Sequence, residues 1–357
     1  MSTRPACATS TLTLGFLLLL PGTNLGAAEG SDPVLVTPHF AFYSDLATNL
    51  NDALLVAGSA RNADRPELFH TGEGKDCFEA LAPSARLGWN LSVDWYAEIV
   101  SPADWNDRRL RLIRVDLAGA GDYLESDERA QRYLGIAHAF QAAATPAYEE
   151  CHWSAQEAQN RAWIEALAPR LAAHEATIAP RLAEHYRVKW HGLPIRIDAV
   201  ETSPSLGAST IILSPAGGHV LISTSSLEGE RAFETVFHEA SHTLVAPWRP
   251  DPVPKALADA AEEVGVALVP RDLWHVVLFY TTGQVVRQAL EAAGHPGYTP
   301  YLFAFDRFGR GDWGRARDAL EETWPAYMAG ERTLEEAAAH LLQSLSQSEK
   351  DPAGSDR

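Results

Sequence analysis

An α+β fold in which helix predominates is predicted by three observations. Long segments in the first half of the chain space their apolar residues at helical intervals. Between residues 195 and 224 the pattern changes to short alternating runs broken by a Pro-Ala-Gly-Gly turn, which marks strands. Helical spacing then returns and lasts nearly to the C-terminus. The reading is therefore a mainly helical region over 29–190, then a region over 191–345 in which a small antiparallel sheet precedes a helix carrying H-E-x-x-H. The 357 residues, 46% hydrophobic and 21% charged, suffice for one large domain or two modest ones.

Residues 1–28 stand apart. Arg4 precedes the short apolar run "TLTLGFLLLL", and small residues follow up to Ala27 and Ala28. This is the pattern of a secretory signal peptide and predicts a secreted or periplasmic protein. The run is too short to span a bilayer easily, and no later segment reaches spanning length, so no stable membrane insertion is expected after cleavage. Cys7 lies before the leucine run, not after it as a lipoprotein signal requires. Two cysteines then remain, Cys77 and Cys151. An even pair in an oxidising compartment predicts a structural disulfide.

The opening "SDPVLVTPHFAFYSDLATNLNDALLVAGSA" reads as an extended loop running into a helix, with His39, Asp45 and Asn49 as scaffold. Over 129–144 a helix places Tyr133, Ile136, Ala137 and Phe140 on one face. A second helix covers 154–188, with Pro169 and Pro180 as kinks or breaks. "LPIRIDAV" alternates through Ile195 and Ile197 as a strand. Two more strands cover about 210–214 and 219–224, and "GHVLISTS" is the candidate sheet edge. A helix follows, with Ser225 or Ser226 as its cap and Pro247 as its stop. Further helices cover about 255–264 and 272–292, and two or more short ones follow Asp306. The polar tail 346–357 is read as disordered.

The net charge of −18, with no Lys/Arg-rich run, disfavours nucleic acid and anionic membranes, which are bound through basic patches. Chemistry concentrates in "RAFETVFHEASHTLVAPW" (231–248). His238 and His242 are four apart on one helix, so both imidazoles lie on one face, one turn apart, able to share a tetrahedral metal ion. Glu239 follows the first histidine and is placed to act on a water at that metal as general base. Zinc, one per chain, suits imidazole with one further nitrogen or oxygen ligand. Phe233, Val236, Phe237 and Leu244 surround the motif, so the helix is expected to be buried. Polar groups there are costly unless paired or metal-bound.

On these residues the segment 191–292 resembles the catalytic core of the zincin metallopeptidases. The resemblance implies a zinc hydrolase acting on a peptide or protein, and carries over His238, Glu239 and His242. It is not metzincin-like: that longer motif wants Gly at 245 and His at 248, where this chain has Val245 and Trp248. A gluzincin-like arrangement is closer. It would draw a third ligand from about Glu262, 20 residues past His242. Yet Glu262 and Glu263 point away from the apolar face of their helix, formed by Leu257, Ala261 and Val264. His275 sits instead in a helix that is apolar nearly all round, and a buried polar group needs a partner. His275 and Glu262 or Glu263 thus stand as alternative third ligands, and a histidine there departs from the gluzincin pattern. Tyr280, Tyr298 and Tyr301 are candidate donors to an oxyanion.

Two other uses of these letters exist. Glu239-x-x-His242 and Glu149-x-x-His152 could pair in a di-iron carboxylate bundle, though the strands before the motif do not fit a plain bundle. A non-catalytic metal- or substrate-binding protein could also keep the fold.

Overall fold

Two short strands open the chain where the sequence predicts a loop: β1 (Leu35–Val36) and β2 (Phe40–Tyr43). The computed structural model describes residues 32–350, apart from 66–67, 70–71, 101–107, 120–127, 191, 203–206, 215–216 and 267–268. The signal-peptide expectation over 1–28 and the last seven residues of the tail therefore lie outside the described residues.

β2 pairs in parallel with β3 (Ile195–Val200), setting Phe40 against Ile195 and Phe42 against Ile197. β3 pairs in parallel with β5 (Gly217–Ser223), which pairs antiparallel with β4 (Ala208–Ser214). The order is β1-β2-β3-β5-β4, so the sheet is mixed and not antiparallel as expected. Parallel neighbours need a long crossover, and six helices supply it between β2 and β3. The order also makes β5 an inner strand, with β1 and β4 at the edges, which corrects the reading of "GHVLISTS". Alternation tells which residues share a face, not which strands are neighbours.

The crossover begins with α1 (Leu46–Asn62), capped by Asp45, whose side chain accepts from Thr48 N at 2.8 Å. α2 (Gly72–Ala80), α3 (Pro83–Trp95), a π-helical turn at Tyr96–Val100 and α4 (Arg108–Leu117) follow. α5 (Glu128–Tyr148) buries Ala130, Leu134, Ala137, Gln141 and Ala144. Ile136, expected on the inner face, is 49% exposed, because the buried stripe runs through the smaller residues packed on α3. A π-helical turn at Glu149–Trp153 joins α5 to α6 (Ser154–Tyr186). Pro169 and Pro180 do not break α6: Leu167, Leu171, Ile178 and Leu182 bury its length on either side of them. Cys77 on α2 and Cys151 on the π turn form the expected disulfide, with Cα atoms 5.6 Å apart.

After the sheet come α7 (Gly229–Leu244), α8 (Pro252–Val264), α9 (Leu273–Ala292), α10 (Tyr301–Ala304), α11 (Gly311–Thr323), α12 (Pro325–Met328) and α13 (Leu334–Lys350). Glu228, in extended backbone, occupies the N-cap position of α7 in place of a serine and makes no side-chain capping bond among the described residues; the Ser225 hydroxyl donates to Glu201 O at 2.6 Å. Residues 346–350 extend α13, because Leu341, Leu342 and Leu345 anchor its last turns. No described helix is long and apolar enough to cross a membrane.

Two hydrophobic cores result. One joins a face of the sheet to α6, α7, α8, α9 and the later helices; the other lies among α1 to α5. β2 and α6 precede residue 190 yet belong to the first core, so the change in sequence character there is not a break in packing.

Candidate metal centre

α7 lies on β4 and β5 with Phe233, Val236, Phe237 and Ala240 buried. Its approach is close because Gly218 lacks a side chain: a Cβ there would stand 2.5 Å from the Thr243 methyl. On its other side α7 meets α9 at Gly283, where a Cβ would stand 2.6 Å from Pro300 Cβ and 3.1 Å from Glu234 Oε1. These two contacts hold α7 between the sheet and α9.

The result brings His275 of α9 to His238 and His242 of α7. One nitrogen from each lies within 4.8 Å of the other two, and His238 Nε2 is 3.2 Å from His275 Nε2. His238 is buried, while His242 and His275 are half-buried, so the trio is reachable from solvent. Burial holds the His238 and His242 imidazoles well below their ordinary range, and the neighbouring histidines add to this. Burial also lowers His275 to about 4. All three are therefore neutral at pH 7, the state that binds a metal. None pairs with a carboxylate among the described residues.

Aromatic rings enclose the trio. Phe279 stacks on His238 with centroids 3.6 Å apart, and the edges of Trp274 and Trp313 meet His242 and His275 at 5.6 and 5.4 Å. His238 Nδ1 is buried with no hydrogen-bond partner among the described residues. Ring packing thus orients an imidazole that a carboxylate or carbonyl usually holds.

Glu239 is buried beside β4. Its Oε2 accepts from Thr210 Oγ1 at 2.6 Å, and that hydroxyl also lies 2.9 Å from Glu239 O. Burial raises the Glu239 carboxyl to about 7 against the opposing Thr210 bond. Glu234, one turn before His238, accepts from Tyr298 Oη at 2.5 Å and Tyr301 N at 3.1 Å. Burial raises it to about 7 as well.

Other candidates fall elsewhere. Glu262 and Glu263 are exposed on α8, as their place opposite its apolar face implies, and do not join the trio. Tyr280 packs on Phe303, and the Tyr298 hydroxyl is engaged by Glu234. Tyr301 stacks on Phe279, a layer behind His238. Glu149 is exposed and His152 bonds Glu201 at 2.6 Å, so the second E-x-x-H is not assembled with the first. Sequence reasoning missed Thr210, Glu234 and Phe279. Glu234 and Phe279 carry a signal, since each is four residues from a histidine of the trio on the same helix. Thr210 carries none.

No protein-family model matches the chain, and no curated protein or solved structure matches it either.

Proposed function

We propose that the chain is an exported zinc-dependent metallohydrolase of the zincin type, with a peptide or protein as substrate. The observation that carries this reading is the convergence of three imidazoles that, among the described residues, have no carboxylate partner. A buried histidine ordinarily has a polar partner on at least one ring nitrogen, as His219 Nε2 has in Asp198 at 2.6 Å. The trio has its own members instead, and three neutral nitrogens within 4.8 Å of one another fit a divalent ion. Imidazole suits zinc, and three protein ligands leave a fourth position open, as catalytic zinc sites do. His238, His242 and His275 would hold one ion per chain. When bound, zinc supplies Lewis acidity, polarising a carbonyl and making water more acidic. The third histidine departs from the gluzincin pattern, so the reading stays at the zincin type.

Glu239 is the general base of this reading. Its carboxyl, raised to about 7, is matched to taking a proton and returning it near neutral pH. β4 forms the sheet edge beside it, and an extended peptide can add to such an edge through main-chain hydrogen bonds. His242 and His275, only partly buried, are the members of the trio that such a peptide could reach.

The test compares the zinc-loaded full chain with Glu239→Gln on a mixed peptide pool, with metal content measured in both. One zinc per chain in both is expected, with cleavage by the variant lower by about 10²–10⁴-fold. Equal turnover would remove the general-base role. Zinc without cleavage would leave a metal-binding protein, and two irons per chain would sink the zinc reading.

A further inference from the structure

We infer that Thr210 is a positioning residue for Glu239, so that the edge strand β4 aims the general base. The inference rests on the hydrolase reading and adds a residue to it.

Side chains alternate along β4, and its register sets Thr210 opposite Val220, on the face that packs under α7. Ser209 and Ile211 point to the other face. Thr210 is therefore the β4 residue whose hydroxyl meets α7, and it is the one donor to the Glu239 carboxylate among the described residues. A hydroxyl has one proton, and a buried carboxylate is its stronger acceptor. The 2.6 Å bond to Oε2 therefore takes precedence over the 2.9 Å contact to Glu239 O.

The Thr210 side chain is itself restricted. Its methyl lies on the Gly218 side, 3.6 Å from where a Cβ there would be. A β-branched side chain is stiff about χ1, which limits where its hydroxyl can stand. Glutamate has three side-chain torsions and would otherwise sample several carboxylate positions. The strand that would receive an extended peptide thus also sets where the proton acceptor stands. Substrate register and base orientation share one rigid element.

Two substitutions separate this role from a merely structural one. Thr210→Val keeps shape and strand preference but loses the hydroxyl; Thr210→Ser keeps the hydroxyl. With a peptide that the zinc-loaded wild type cleaves, Thr210→Val is expected to lower kcat by about tenfold to a hundredfold. KM should stay within about twofold and zinc content should not change. Thr210→Ser should recover most of kcat. Crystal structures of both metal-free variants give a second readout: the Glu239 carboxylate leaves its place beside β4 in Thr210→Val and keeps it in Thr210→Ser. The inference is overturned by wild-type kcat in Thr210→Val, by loss of its zinc, by a change in KM alone, or by an unmoved Glu239. If the wild type binds zinc but cleaves nothing, the hydrolase reading itself falls. If it cleaves and Thr210→Val is as fast, only the role of Thr210 falls.

Discussion

On one face of the sheet Ile197, Ala199, Val220 and Ile222 pack under α6 and α7, and the histidine trio stands beyond them. On the other face Arg196, Asp198, Ser209 and His219 meet α1 and α4, which bring Asp52 and Arg114. Both faces bury histidine, but in opposite company. His219 is bonded to Asp198, and Asp198 also accepts from Arg196 Nε at 2.6 Å. Burial pushes the Asp198 carboxyl up, yet these two partners outweigh it and hold it below the ordinary range. Arg114, 1% exposed, lies 3.7 Å from Asp52 and donates to Ser209 at 3.0 Å. Each of these charges has an opposite neighbour. On the trio's face three like donors converge with no carboxylate partner among the described residues. Burial of a histidine is therefore no argument for a metal by itself; the proposed centre rests on the identity of the neighbours.

The comparison breaks if the charges behind the sheet are not a true buried set. Arg114→Met should destabilise the protein by about 3–5 kcal/mol in urea unfolding, because Asp52 is left buried and unpaired. The double change Asp52→Leu with Arg114→Met should recover most of that. Zinc affinity should not move in either. A single variant as stable as the wild type would mean that the second face tolerates charge without pairing.

A pH experiment sharpens the contrast from the trio's side, through Glu234. Its folded value of about 7 lies above the ordinary 4.5. Between those values the folded chain keeps a proton that the unfolded chain has lost. The contribution is full below about pH 4.5, falls as pH rises and levels off above about 7. The loss is roughly 3 kcal/mol across the window. Glu239, raised to the same value, adds a like slope over the same window. Glu234→Gln should therefore remove only Glu234's share and make the slope shallower, since an amide oxygen can still accept from Tyr298 and Tyr301. A slope as steep as in the wild type assigns it to other groups.

The smallest effect is expected at the α7–α9 contact. Gly283→Ala should cost about 1–3 kcal/mol by overpacking against Pro300. Because His275 travels with α9, the same variant should weaken zinc binding in calorimetry, whereas Arg114→Met should not. Equal zinc affinity in both would show that helix spacing does not tune the trio.

Some of this was legible before any fold was seen. His238 and His242 follow from a four-residue interval on one helix. The Cys77–Cys151 pairing follows from the even count that the signal-peptide reading leaves, and Glu262 and Glu263 can be read as outward-facing from the apolar spacing of their own helix. His275 could be suspected from its apolar surroundings, but its meeting with the other two depends on how α9 crosses α7, 37 residues away for His238. Thr210 was invisible: it meets Glu239 from 29 residues away, and one threonine in a strand looks like another. The sheet was half legible. Alternation marked β3, β4 and β5, while β1 and β2 were too short to stand out from the loop around them.

Local periodicity and spacing were thus enough to establish an α+β chain dominated by helix, a two-histidine helix face and an adjacent carboxylate, because each is a property of residues within a few turns. Long-range packing alone decided that the sheet is mixed, that β4 lies at an edge and that the third imidazole comes from α9. It also decided that, among the described residues, His219 is paired to an acid while the trio is not. Those outcomes depend on which surfaces bury one another, and sequence distance carries no record of that.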